Sequence, residues 1–488
     1  MSLGKENRMP SSKLELNTIL RDARAAKDSS RTSPTSSPAK SIRERVPDEV
    51  MQRLELGEEL VVRPQQPLLY PYAKRTFDFC TAAIALLLLS PLMLLVSIRF
   101  RLRNRDRVLD RYFKVGRGDH TFYEYAFATD VRIIRSLPVL FNVLRGDMAL
   151  IGPRTLSPDE MHAYIAKEPL AERRKDVRPG LICDWWIRRH VNLDYVSEVS
   201  LDVGYVDSCS WSKDMSVVFR SLPGLVTFVL WGDDPPQYES VVSVLGVRID
   251  NISMTAALDR VVTMLEEPGT KHACFVNPHA INEAQKNLRY KESLQVADLV
   301  LADGFGTKLA GKILRRPICQ NLCGTDLFPR LCAALSGTQK SVYLLGAAPG
   351  VADRVAQWIN KHYPDIVIKG CAHGHFSPEE ELEVVKRIAA SGADLLVVGM
   401  GVPRQDVWIH KHIDSLNVNV AMSFGGLFDY FAGRIPRAPQ WMREMGLEWV
   451  YRLIQEPRRL WRRYLIGNGT FVARVLREKF NPARYSIE

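Results

Sequence analysis

Several features are scarce or missing in this chain, and each absence excludes something. The eight cysteines are scattered over 488 residues. The closest pair, Cys319 and Cys323, is spaced C-x3-C, with no second pair or histidine cluster at zinc spacing, so ordinary reduced thiols are expected rather than a disulfide framework or a zinc module. No apolar stretch precedes about residue 60, so a secretory leader is not expected. Beyond Val242 there is no D-x-D motif, and a metal bridge to a donor diphosphate is not supported there. No full G-x-G-x-x-G occurs in "LLGAAPG" (Leu344 to Gly350), which leaves a dinucleotide fold without its fingerprint. No internal repeat is visible, and no DNA- or RNA-binding module accompanies the basic segments, so nucleic acid is not expected as a partner.

What remains is ordinary globular material with a cationic bias. Hydrophobic residues make up 46% and charged residues 25%, enough for two or three sizeable cores at this length. The net charge of +11 and an isoelectric point near 9.2 favour anionic partners: phosphorylated metabolites, an anionic membrane face or nucleic acid. Residues 1–65 form a polar, Ser/Pro/Thr-rich tail that is expected to be disordered, with room for a short helix around "PDEVMQRLELGEEL". Residues 66–223 mix short periodic pieces with Gly and Pro punctuation. Residues 224–242, with "WGDDPPQ", read as a linker. Residues 243–433 alternate apolar strand runs with amphipathic segments, and 434–488 form an Arg/Trp-rich appendage.

The run "TAAIALLLLSPLMLLVSI", Thr81 to Ile98, is the most apolar stretch. As a helix, eighteen residues reach about 27 Å, marginal against a hydrocarbon core of roughly 30 Å. Lys74 and Arg75 precede it and Arg99, Arg101 and Arg103 follow, so both ends are expected on the cytoplasmic side. Pro91 removes a helix hydrogen bond near the midpoint, and Ser90 can satisfy a freed backbone group. A re-entrant, Pro-broken helix is the favoured reading over a full span or a buried core helix. Membrane association is thus expected through residues 74–103, with the Arg/Trp tail as a second contact.

"YAKRTFDFCTAAIALLLLSPLMLLVSI", "LFNVLRGDMALIGPR" (Leu140 to Arg154), "VRPGL" (Val177 to Leu181) and "LDVGYVDSCSWSKDMSVVFRSLP" (Leu201 to Pro223) resemble the bacterial sugar transferases. These are monotopic phosphoglycosyl transferases that load a sugar phosphate onto polyprenyl phosphate. The resemblance implies an α-rich monotopic domain at the cytoplasmic face of a bacterial inner membrane. The chain departs from the family where the chemistry should be. Ala126 and Ala128 stand at the positions of the family's Lys and Arg, and the Asp-Glu dyad segment is shortened away. Asp130 remains without an adjacent Glu, and Glu124 and Asp130 are either a substitute pair or surface charge. A catalytically impaired domain kept as a membrane platform is expected.

In the second half, "KHACFVNP", "ADLVLADGFG", "KSVYLLGAAPG", "ADLLVVGMGVP" and "NVNVAMSFGG" each end in Gly, Pro, Asn or Asp. Between them lie segments such as "SPEEELEVVKRIAAS", where Ser377, Pro378 and Glu380 spell a capping box. Buried strands alternating with helices predict an α/β fold: a Rossmann-like parallel sheet with helices on both faces and ligands at the strands' carboxyl ends. Asp303, in the turn beside Gly304 and Gly306, is placed either as a general base or as a turn-forming Asp. Asn277 and His279 end the preceding strand; His279 is either a base or a binding or structural contact. The Gly399–Gly401–Pro403 turn offers amides to a diphosphate. From Arg434 to Arg463 there are eight arginines against three glutamates, interleaved with Trp441, Trp449, Trp461 and Tyr464. They read either as phosphate and membrane-interface contacts or as a solvated basic helix.

The ordered set "VLGVRIDNIS", "FVNPHAIN", "DGFG", "GTDL", "GMGVPRQD", "FGGLFDYFAGRIPRAP" and "GLEWVYRLIQEPRRLWRRYL" resembles the WecG/TagA/CpsF glycosyltransferases, family 26. The resemblance implies an inverting, metal-independent transferase with no cofactor. It would move a sugar from a UDP-sugar, N-acetylmannosamine-like or glucose-like, to a polyprenyl-diphosphate-linked sugar in surface or exopolysaccharide assembly. It implies Asp303 as base. Substrate contacts are expected at Asn277, His279, Gly304, Gly306, Thr325, Asp326, Gly399, Gly401, Pro403, Gln405, Asp406, Gly425, Gly426, Asp429, Arg434 and Arg437. Arg452, Arg458, Arg459, Arg462 and Arg463 are expected on the lipid diphosphate. Gln405-Asp406 stands where the family commonly has Gln-Glu. Relatives often self-associate, so a homo-oligomer is a further expectation. Two alternatives stay open: a bifunctional enzyme that also primes polyprenyl phosphate, and a non-catalytic scaffold.

Overall fold

The computed structural model describes residues 69–102, 108–129, 132–191, 198–231 and 238–485. The polar tail, Arg103 and Asp130 lie outside the described residues. The described residues fall into two compact units, one made of those within Met1–Asp184 and Glu198–Val218, the other of those within Trp185–Ser197 and Phe219–Glu488.

The first unit starts with α1 (Tyr70–Leu102), a helix that runs through Pro91. At 33 residues it is about 50 Å long if straight. It is the one described helix long and apolar enough to cross a membrane. Ser90 Oγ donates to Leu87 O at 2.8 Å in the turn before the proline. One side packs into the unit through Ala82, Met93, Val96 and Phe100, while Leu87, Leu88, Leu94 and Leu95 are 62–75% exposed. The basic residues at its start are held by protein. Lys74 Nζ lies 2.8 Å from Asp214 Oδ2, and Arg75 donates at 2.7 Å to the carbonyls of Val143 and Leu144. β1 (Leu109–Val115) and β2 (Thr121–Phe127) form an antiparallel hairpin, and β3 (Ala149–Ile151) pairs in parallel with β4 (Gly180–Ile182). Ala126 lies on β2 and is buried.

The stretch read as a linker is partly helical. The helix Trp211–Trp231 carries Pro223 inside and continues eight residues past it, because "GLVTFVLW" is apolar and unbroken. The next strand opens at Val241.

The second unit is built on a six-stranded sheet. After the hairpin β5 (Val241–Val244) and β6 (Val247–Asp250) come β7 (Lys271–Val276), β8 (Leu299–Ala302), β9 (Ser341–Gly346), β10 (Val367–Ala372), β11 (Leu395–Gly399) and β12 (Val420–Ser423). The order is β10-β9-β11-β12-β7-β8, all parallel. Side chains alternate between two buried faces. On β7, Ala273 and Phe275 enter one core while Cys274 and Val276 enter the other; on β8, Leu299 and Leu301 oppose Val300 and Ala302. Helices cover both faces, as expected for a sheet with no solvent side. The predicted capping box forms: Ser377 N–H donates to Glu380 Oε2 at 2.8 Å, and Ser377 Oγ accepts from Glu380 N–H. The order brings the carboxyl ends of β8, β7, β12 and β11 side by side, and these four ends carry the motif turns.

Candidate functional site

A cavity of about 810 Å³ opens at those strand ends. Its first wall is local backbone chemistry. β7 ends at Val276, and Asn277 caps the helix α2 (Pro278–Ala284) by accepting from Ala280 N–H at 3.1 Å. With its oxygen so used, the Asn277 amide nitrogen donates to Asp303 Oδ2 at 3.3 Å. Asp303 N–H continues the sheet by donating to Val276 O at 2.9 Å. The next residue turns sharply: Gly304 has φ +84, and its N–H donates to Asn321 Oδ1 at 2.6 Å. Gly306, in α3 (Phe305–Ile313), packs so tightly on Pro278 that a Cβ would lie 2.6 Å from Pro278 Cγ. The "DGFG" glycines thus let α3 start against α2 with Asp303 facing the cavity.

The second wall joins the ends of β11 and β12. Gln405, at the start of α4 (Arg404–His412), is almost fully buried. Its Oε1 accepts from Gly401 N–H at 3.0 Å and from Gly425 N–H at 3.1 Å. Gly401 has φ +84 and Gly425 φ +61, conformations that suit glycine. These two amides serve the Gln405 clamp and are not presented to a diphosphate. Gly399 admits no side chain, because a Cβ would overlap the Phe428 ring.

The third wall comes from the appendage. α5 (Glu448–Gln455) supplies Glu448 and Arg452, four residues apart on one helix face. Arg463 and Tyr464 follow from the turn before α6 (Gly467–Phe480). The Arg452 guanidinium sits 5.4 Å from the Tyr430 ring centroid, and that of Arg463 sits 5.4 Å from Tyr464. Neither meets a carboxylate within 4 Å among the described residues, and the Nε of each is buried without a partner. The other arginines of this wall are engaged. Arg434 pairs with Asp429 at 3.0 Å, Arg459 with Glu456 at 2.7 Å, and Arg443 approaches Asp326 at 3.9 Å.

Protonation follows burial. Burial pushes the Asp303 carboxyl above the usual carboxylate range, against the pull of the Asn277 hydrogen bond, Arg463, the Cys323 thiol and Arg452. Burial likewise raises Glu448, with Arg437 opposing. The Cys323 thiol is held well above its ordinary value by burial and by Asp303, so it remains a thiol. Burial, with the Arg463 cation nearby, pushes His279 down to about 4 and keeps it neutral at pH 7. The cavity therefore pairs a carboxylate of enhanced basicity with two desolvated guanidinium groups, a combination suited to taking a proton and receiving an anion.

Sixteen of the residues singled out in the sequence line this cavity: Asn277, His279, Asp303, Gly304, Gly306, Thr325, Gly399, Gly401, Gln405, Gly425, Gly426, Asp429, Arg434, Arg452, Arg459 and Arg463. Six do not. Asp326 and Arg437 are spent on each other in a bidentate pair of 2.7 and 2.5 Å. Pro403 follows a cis peptide bond and starts α4. Asp406 is fully buried under the sheet, accepting from Ser423 Oγ at 2.5 Å. Arg458 and Arg462 point to solvent, Arg462 lying over Trp461. Sequence reading missed Asn321, Cys323, Tyr430, Arg443 and Glu448, all cavity-lining. The four-residue spacing of Glu448 and Arg452 was the available signal for one of them.

Residues 242–485 match the family described as Glycosyl transferase WecG/TagA/CpsF, and residues 131–227 match Bacterial sugar transferase. Among curated proteins, the N-acetylglucosaminyldiphosphoundecaprenol N-acetyl-beta-D-mannosaminyltransferase of Bacillus spizizenii is 36% identical over 222 residues, 46% of this chain and 85% of that protein. The enzyme of the same name from Staphylococcus aureus strain MW2 is 32% identical over 223 residues, 45% of this chain and 87% of that protein. The chain belongs to the WecG/TagA/CpsF glycosyltransferase family.

Proposed function

We propose that this glycosyltransferase moves a sugar, N-acetylmannosamine-like or glucose-like, from a UDP-sugar to a polyprenyl-diphosphate-linked sugar, with inversion and without a metal, in bacterial surface or exopolysaccharide assembly. The observation that carries the reading is the Asp303 carboxylate, raised in basicity, in one cavity with the unpaired Arg452 and Arg463. The names of the relatives, which specify a diphosphoundecaprenol-linked acceptor and a mannosaminyl donor group, support the substrate class.

The steps balance with these groups. Asp303 takes the proton of the acceptor hydroxyl as that oxygen forms its bond to the donor's anomeric carbon. The bond from that carbon to the diphosphate oxygen breaks with its electron pair, and UDP departs as the anion. Arg452 and Arg463 receive diphosphate charge in a site where desolvation strengthens the attraction. Asn277 orients Asp303 from the side. The Gln405 clamp fixes the glycine turns that form the opposite wall. α1 and the basic appendage tether the chain at the cytoplasmic face of the inner membrane, where a polyprenyl-linked acceptor presents its sugar.

Asp303→Asn should abolish transfer to a lipid-diphosphate acceptor while donor binding persists. The readout is product mass from a UDP-sugar screen; undiminished turnover would sink the assignment. Full complementation of a deletion strain by the same variant would instead favour a scaffold. By the resemblance, Ala126 and Ala128, which lie just ahead of the matched residues 131–227, stand where the bacterial sugar transferases carry Lys and Arg, so we assign this domain a platform role. UMP release when the purified full chain with Asp303→Asn meets polyprenyl phosphate and UDP-sugars would overturn that role and make the chain bifunctional.

A further inference from the structure

A second polar cluster lies inside the same unit, away from the reacting groups. His272 and Cys274 alternate on β7 and so point to one face of the sheet. Asp406 of α4 meets them there. The three are 1%, 0% and 0% exposed, and one ligand atom from each lies within 4.8 Å of the others. Their hydrogen bonding does not close. Asp406 Oδ1 is served by Ser423 Oγ at 2.5 Å and lies 3.5 Å from His272 Nε2. Asp406 Oδ2, both ring nitrogens of His272 and the hydroxyl of the buried Tyr290 have no hydrogen-bond partner. Protein interiors pair nearly all such groups, so an imidazole with neither nitrogen served, beside a carboxylate with one unserved oxygen, calls for a shared partner.

We propose that His272, Cys274 and Asp406 bind a structural divalent metal of the zinc class. Imidazole nitrogen, thiolate sulfur and carboxylate oxygen are the donor types that a borderline-soft ion takes together. The charges close: a dication with one thiolate and one carboxylate is neutral, which burial demands. Binding replaces the Cys274 S–H bond with a metal–sulfur bond, and the proton leaves to solvent. The ion would touch neither sugar nor diphosphate. It would pin β7 to α4, and Asp406 is the neighbour of Gln405, whose side chain clamps the Gly401 and Gly425 turns. The missing D-x-D motif bears on a donor diphosphate, not on this site.

The test uses the full chain, free of any histidine tag, expressed in zinc-supplemented medium, dialysed and measured by inductively coupled plasma mass spectrometry. One zinc per chain is expected, falling to background in Cys274→Ser and in His272→Gln. Cobalt(II) in place of zinc should give a thiolate-to-cobalt charge-transfer band that Cys274→Ser abolishes, and a chelator should lower the Tm of wild type. Metal well below one equivalent in folded wild-type protein would overturn the proposal. So would a full equivalent retained by a folded Cys274→Ser variant, which would assign the ion elsewhere. The wild-type content decides even if both variants misfold.

Discussion

Replacing Gln405 with alanine tests whether this residue binds substrate or holds the cavity wall. Its Oε1 is the common acceptor for Gly401 N–H at 3.0 Å and Gly425 N–H at 3.1 Å, one at the end of β11 and one at the end of β12. Alanine leaves both amides unserved. A buried amide without a partner costs about 1–3 kcal/mol, so two cost at least about 2 kcal/mol. The adjoining cavity admits water, which recovers part of any larger cost, and a loss of about 2–3 kcal/mol is expected. Urea unfolding should show a lower midpoint with an unchanged slope. The donor KM should rise about tenfold if about 1.4 kcal/mol of the loss falls on the donor-binding wall. Gln405→Glu keeps an acceptor oxygen at the same reach and should recover most of the stability. A Gln405→Ala protein with a wild-type midpoint and a raised donor KM would refute the clamp and return Gln405 to direct substrate contact. So would a Gln405→Glu variant as unstable as the alanine one.

Gly399→Ala drives a methyl into the Phe428 ring and should cost about 3 kcal/mol or abolish soluble expression, read by thermal unfolding. Arg437→Ala removes the bidentate partner of the buried Asp326 carboxylate and should lower stability by about 2 kcal/mol, with Asp326→Asn in the same chain recovering part of it. The acid limb of kcat/KM should lie above the ordinary carboxylate range. Asp303 works only when ionised, burial raises its pKa, and activity is therefore lost as pH falls through that raised value. Asn277→Ser keeps a cap oxygen for α2 but removes the amide donor that stabilises the Asp303 anion, so the limb should move to higher pH; His279, pushed down to about 4, adds no limb near neutrality. Cysteines placed at residues 60 and 110 should be labelled from the same side of inverted vesicles, and labelling from opposite sides would make α1 a full span.

The sheet was legible because its strands are buried on both faces and end in punctuating residues. "ADLLVVGMGVP" and "NVNVAMSFGG" show their apolar length and their terminal glycines without help from the fold. The same burial hid the polar cluster beneath β7. Where both faces are covered, alternation leaves no hydropathy signature, and His272 and Cys274 pass as strand texture in "KHACFVNP". The place of Asp303 at the cavity was readable because a carboxylate and two glycines at a strand end are a local pattern. The Asp326–Arg437 pair was not, since 111 residues separate its members. The linker reading overextended for a related reason: "WGDDPPQ" breaks any helix, but the apolar residues before it carry the preceding helix to Trp231.

The arginines of the appendage divide according to what they face. A count of eight against three glutamates suggests one undifferentiated cationic surface. The structure separates it into arginines bound to carboxylates, arginines in solvent, and two, Arg452 and Arg463, that are desolvated with no carboxylate within 4 Å among the described residues. That division has a physical reason. A guanidinium buried without an anion is costly, and burial beside Arg452 and Arg459 weakens the hold of Arg463 on its proton. The cost is tolerable if an anionic ligand is the missing partner. Arg437, fixed by Asp326, contributes to that arrangement by anchoring the segment between the glycine turns and α5. A similar division applies at the start of α1. Lys74 and Arg75 look like membrane-flanking charges, yet one pairs with Asp214 and the other caps backbone carbonyls of its own unit. The groups of α1 left facing outward are its exposed leucines and, at its far end, Arg99 and Arg101, and the proposed membrane contact would be made through these.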